Sequence, residues 1–159
     1  MFTLTNLLLA VGTVVVLMLL HETAHYLSAR AMNLRVIDFG FKTDRTVPYP
    51  FVEVGWTPDV NKRTVYLMAG VATTASLLLL VLLLLGARLP EGVYLGFAVQ
   101  LLLETNPVFS DFTLLRAMSA GRRKATELFS TTWYVHFLIW AGLLVFLLSP
   151  RFVPGWVLQ

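Results

Sequence analysis

The sequence predicts an all-α polytopic membrane protein with about four transmembrane helices and a small β-hairpin region at the cytoplasmic membrane surface. Three observations predict it. Hydrophobic residues make up 57% of the 159 positions and charged residues only 13%, about half the charged share of a soluble globular domain. Four segments are apolar over something near the roughly 20 residues that a bilayer core requires. Lys and Arg gather on one side of those segments, the pattern that marks cytoplasmic loops. These figures exclude a disordered chain and a soluble enzyme of ordinary composition. They also exclude a nucleic-acid binder, because the net charge of +3 sits in an apolar chain. The absence of cysteine removes a disulfide framework and a thiolate metal site from consideration.

The whole chain, 1–159, reads as a single membrane domain. The first span runs over about 4–32, apolar as far as Leu20 and mixed beyond it. The stretch at about 33–62 is the only sizeable extramembrane part. Within it LRVIDFGF and PYPFVEVGW are short, β-branched and aromatic-rich, and Pro, Asp and Thr separate them, which predicts a hairpin. The second span covers about 64–85 and ends in LLLLVLLLL. The third covers about 92–118, interrupted at Asn106-Pro107. The fourth covers about 131–148, and Pro150 stops it. Arg30, Arg35, Lys42, Arg45, Lys62, Arg63, Arg116, Arg122, Arg123 and Lys124 fall on one side of these spans, against Arg88 and Arg151 on the other. The basic side is therefore expected in the cytoplasm, with both termini outside.

Ionisable residues inside a membrane helix are costly and mark function by default. The first span holds three of them in LLHETAHYLSA: His21, Glu22 and His25. Positions i and i+4 of an α-helix lie about 40° apart, so the two histidines share a face and their imidazoles can bind one Zn²⁺. Glu22 projects beside them and can serve as general base. With so few His and Glu, an H-E-x-x-H pattern arises by chance on the order of 0.002 times, so the spacing carries weight.

A catalytic zinc needs a third protein ligand. His136 lies beside Trp133, Tyr134 and Trp140 and reads as a packed or interfacial histidine. Asp111 is the better candidate on depth. His25 precedes Arg30 by five residues, and Asp111 precedes Arg116 by five. At about 1.5 Å per residue both sit roughly 7–8 Å inside their arginine markers. Glu104, about two turns away, is the rival carboxylate. Pro107 removes a backbone donor and frees a carbonyl, a defect tolerated at membrane depth where it faces protein or a wet cavity.

With these residues in place the chain resembles the site-2 protease family of intramembrane zinc metalloproteases. HETAH matches at His21, Glu22 and His25, and ETNPVFSD looks like the family's distal motif, giving Asn106, Pro107 and Asp111. The hairpin occupies the place of the family's membrane-surface β-region, and MAGVATTAS matches a further motif at Gly70 alone. Phe112 stands where a Gly is common, Val71 where a Pro is, and Thr74 where an Asn is. The resemblance implies Zn²⁺ held by His21, His25 and Asp111, with Glu22 and Asn106 catalytic and a transmembrane protein as substrate. It implies a multi-pass protein of a bacterial-type plasma membrane, the metal site near the cytoplasmic side. The departures leave open a catalytically inactive subunit or scaffold among partner membrane subunits, and a His-ligated haem or metal-transfer protein.

Overall fold

A computed structural model describes residues 3–43, 48–108, 110–119 and 131–148. The described residues are mostly helical, with one two-stranded antiparallel sheet. The basic residues at 45 and 122–124, Arg151 and the stop at Pro150 lie outside them.

Helix α1, Leu4–Ala31, begins at an N-cap in which the Thr3 hydroxyl accepts from the Asn6 amide. It ends because Asn33 takes a left-handed conformation, φ 55°, and two amides fold back onto the last turn: Leu34 N–H on the Ala29 carbonyl and Asn33 N–H on that of Arg30. Strands β1, Val36–Lys42, and β2, Tyr49–Val54, form the expected hairpin, with a bulge between Val36 and Asp38. Helix α2, Val60–Leu85, starts one turn earlier than the apolar run suggested. The Asp59 carboxylate caps the amides of Asn61 and Lys62 and draws the polar residues before Thr64 into the helix.

The third predicted span is two helices rather than one. Helix α3 is Glu91–Glu104 and helix α4 is Asp111–Ser119. Pro107 cannot donate to the Leu103 carbonyl, which the Asn106 amide takes instead at 3.3 Å, so the α-helical ladder stops there. Helix α5 is Thr131–Leu148. The expected four spans are thus corrected to two candidates among the described residues. Among the described residues, α1 and α2 are long and apolar enough to cross a membrane, while α3 has only 14 residues, about 21 Å of helix.

Close packing depends on small residues. Gly92 and Gly96, one turn apart on α3, face α1 so tightly that a Cβ would lie 2.3 Å from the Asn6 carbonyl oxygen and 2.5 Å from Thr13 Cβ. Gly70 on α2 does the same against the ring of His21, at 2.3 Å. The interior so formed is unusually polar. His21, His25, Thr74, Gln100, Glu104, Ser110 and Thr113 are buried, whereas Leu7, Leu8, Val15, Val16, Leu83 and Leu84 are exposed. The buried residues of α1 are Ala10, Leu17, His21, His25 and Ala29, one narrow stripe on an otherwise apolar surface.

Candidate metal centre

The stripe on α1 brings the two histidines to the junction with α2, α3 and α4. Each imidazole is anchored through Nδ1. His25 Nδ1 lies 2.7 Å from the Tyr66 carbonyl oxygen on α2, and His21 Nδ1 lies 2.7 Å from Glu104 Oε1 on α3. A carbonyl can only accept, so the His25 proton sits on Nδ1; a carboxylate partner favours the same tautomer for His21. Both Nε2 atoms are thereby left as electron-pair donors, and both point inward.

They converge on a third donor. His21 Nε2 and His25 Nε2 are 3.0 Å apart, and Asp111 Oδ2 lies 3.1 Å and 3.0 Å from them. Three electron-pair donors directed at one point repel one another unless a cation sits among them. Ligands about 2.0–2.1 Å from a tetrahedral zinc are roughly 3.3 Å from each other, so the observed separations suit such an ion with little adjustment. The residue types suit it as well, two neutral imidazoles and a carboxylate.

Asp111 reaches this point because the chain restarts its helix there. The Asn106 carbonyl accepts from the Ser110 amide at 3.3 Å, from the Thr113 hydroxyl at 2.9 Å and from the Ser110 hydroxyl. The Ser110 hydroxyl in turn accepts from the Thr113 amide, as an N-cap does. Asp111 is therefore the first residue of α4, next to its cap.

Glu104 is not one of the converging donors. Its Oε1 accepts from His21 Nδ1, from the Thr74 hydroxyl at 2.6 Å and from Gln100 Nε2 at 2.8 Å. It fixes the orientation of a ligand instead of being one. Glu22 is half-buried and its carboxylate also stands outside the triad. It lines a cavity of about 270 Å³ together with His21, Asp111, Tyr49, Pro50 and Gln100. Asn106 lies in the turn between α3 and α4, its Oδ1 accepting from the Val108 amide at 2.8 Å, and it is not among the residues lining that cavity. His136 is directed at α3, with Nε2 3.0 Å from the Thr105 carbonyl oxygen.

The supporting residues were not singled out by spacing alone. Gln100 and Glu104 are i and i+4 on one face of α3, two polar side chains in an apolar run, which is the signal that could have paired them. The Tyr66 carbonyl has no sequence signal.

The chain matches no protein-family model, no characterised protein and no solved structure.

Proposed function

We propose that this chain is an intramembrane zinc metalloprotease of the site-2 protease type, cutting a membrane-protein substrate within or beside the bilayer. One observation carries the reading: His21 Nε2, His25 Nε2 and Asp111 Oδ2 converge within 3.1 Å beside a cavity that Glu22 also lines. The inverted burial pattern supports a multi-pass membrane placement, since polar groups buried inside an apolar exterior suit lipid as the outer solvent. In that placement α3, α4 and α5 complete the bundle around α1 and α2, with the basic segments and the hairpin at the cytoplasmic face.

His21, His25 and Asp111 would hold the ion. Bound Zn²⁺ supplies Lewis acidity and an acidified water, with a pKa brought towards about 7. Glu22 would take a proton from an attacking water and return it to the departing amine. Glu104 and the Tyr66 carbonyl hold the imidazoles in the tautomer that leaves Nε2 free. A substrate helix hides its carbonyls in hydrogen bonds and must unwind before attack. An extended segment beside β2 would satisfy its backbone groups against the strand. Asn106 Oδ1 is engaged by the Val108 amide, so a role in holding substrate falls to its Nδ2.

The departures at Phe112, Val71 and Thr74 favour a second reading, a catalytically inactive subunit of a larger membrane complex. Glu22 separates the two, since a scaffold has no use for a base there. The test is Glu22→Gln, which keeps shape and cannot accept a proton. In the protease, the variant retains zinc and expression but loses cleavage of a defined membrane substrate, or fails to complement a deletion. Full complementation by the variant would sink the protease reading.

A further inference from the structure

The C-terminal end of α1 forms a second cavity, apart from the candidate metal centre. Asn33, in its left-handed conformation, turns the chain back on the last helical turn. The turn brings Arg35 to the same side as Arg30, and these two, with Asn33 and Leu34, line a surface cavity of about 320 Å³. Arg35 is held from behind. Its carbonyl accepts from the Gly55 amide at 2.7 Å, and its side-chain stem runs along Gly55, where an added Cβ would lie 3.5 Å from Arg35 Cβ and 3.9 Å from its Cδ.

These two arginines differ from the basic residues around them. Lys42 pairs with Glu53 at 3.9 Å and covers the Phe51 ring. Lys62 Nζ donates to the Met32 carbonyl at 3.0 Å, and the Arg63 guanidinium lies over the Trp56 ring. Among the described residues, neither the Arg30 nor the Arg35 guanidinium has a hydrogen-bond acceptor or an acidic partner, and no acidic residue lines their cavity. A helix C-terminus ordinarily repels an anion through its bare carbonyls. Here the carbonyls of Ser28, Ala29 and Arg30 accept from the amides of Met32, Leu34 and Asn33, and that of Met32 accepts from Lys62. Two unpaired positive forks and one carboxamide therefore share a cavity whose neighbouring carbonyls are already taken. Guanidinium forks match the oxygens of a phosphate.

The helix below the cavity says what that phosphate belongs to. Val16, Leu19 and Leu27 lie within about 60° of Arg30 around the helix axis, and all three are exposed. A free phosphate leaves that stripe bare, whereas an acyl chain covers it. Resting on the membrane placement above and not on the protease chemistry, we propose that Arg30 and Arg35, with Asn33, bind the phosphate of an anionic glycerophospholipid whose acyl chain lies along α1.

The test is native mass spectrometry of the full chain, extracted from membranes in a neutral detergent. It is titrated with phosphatidylglycerol, with phosphatidylcholine of the same chains, or with inorganic phosphate. Phosphatidylglycerol should bind about tenfold more tightly than phosphatidylcholine. Arg30→Gln/Arg35→Gln should weaken its binding about 25-fold, about fivefold for each arginine. Lys42→Gln/Arg63→Gln removes the same charge from partnered residues and should weaken it less than about twofold. Circular dichroism reads whether each variant is folded; if the arginine double variant is not, the two single variants and the wild-type preference between the lipids decide. Phosphatidylglycerol bound no more tightly than phosphatidylcholine overturns the site. Equal weakening by the two double variants also overturns it, leaving only diffuse attraction. Inorganic phosphate that displaces phosphatidylglycerol at equal concentration overturns the lipid as the source of the phosphate. Protein recovered from cells in the soluble fraction without detergent overturns the membrane placement and the lipid site together.

Discussion

The candidate centre draws its donors from two unlike regions. His21 and His25 stand on α1, a helix of 28 residues in which i and i+4 alone put both imidazoles on one face. Asp111 comes from the opposite situation, a helix that stops at Glu104 and restarts at Asp111 after a turn built from Asn106, Pro107 and Ser110. The continuous region gives spacing for nothing but needs outside help for orientation, from Glu104 and the Tyr66 carbonyl. The broken region places its ligand's backbone through hydrogen bonds of the turn itself, around the Asn106 carbonyl and the Ser110 hydroxyl, with α5 taking carbonyls that the break leaves open. Periodicity places a pair, and a defect places a single group.

Four measurements would break or sharpen this contrast. The largest effect belongs to the continuous helix. The double variant His21→Ala/His25→Ala should reduce zinc from about one per chain to background, read by elemental analysis of purified protein. Equal zinc in the wild type and the double variant would remove the site. Next comes the orienting carboxylate. Glu104→Ala should weaken zinc binding about 10–100-fold in a competition titration, the usual cost of losing a ligand's hydrogen-bonded partner. An unchanged affinity would mean that α1 orients His21 unaided.

Third is close approach. Gly70→Ala places a methyl group 2.3 Å from the His21 ring and should cost about 1–3 kcal/mol through overpacking, with a matching fall in zinc occupancy. Gly12 meets nothing within 4 Å, so Gly12→Ala serves as the matched control and should leave the thermal midpoint unchanged or slightly raised. The smallest effect tests the broken region. Ser110→Ala removes the cap of α4 and should cost about 1 kcal/mol, seen as a roughly fivefold weaker zinc affinity. A loss as large as that of Glu104→Ala would show that the turn has no rigidity apart from that one hydroxyl.

The same contrast governs what could be read in the sequence. The two histidines follow from period alone, and Asp111 from equal depth below Arg30 and Arg116. The hairpin follows from alternating β-branched and aromatic residues. The break in the third span is legible at Asn106-Pro107, but its extent is not, because the turn between α3 and α4 rests on hydrogen bonds from Ser110 and Thr113 to the Asn106 carbonyl. From the sequence Glu104 is a rival for the metal, because depth along α3 says nothing about which atom of His21 it meets. That meeting depends on Gly70 admitting the His21 ring and on Thr74 and Gln100 holding the carboxylate, contacts that, Gln100 apart, join residues 30 to 83 positions from each other.

The interruption in α3 also has a consequence for the order in which the molecule is put together. It leaves the Leu102 carbonyl without its helical donor, because the Asn106 amide has turned to Leu103, and the Thr105 carbonyl lies just past the last i to i−4 bond, which runs from the Thr105 amide to Leu101. Both oxygens are claimed by α5: Trp140 Nε1 donates to Leu102 at 2.7 Å, and His136 Nε2 to Thr105 at 3.0 Å. In the proposed membrane placement a bare carbonyl costs several kcal/mol. Until α5 has been made and docked, the break is an expensive place to leave α3, and an unbroken or displaced helix competes with it. Helix α5, made after the break, therefore works as a latch on the turn that delivers Asp111, and a nascent chain halted before Trp140 carries its histidines without a settled third ligand.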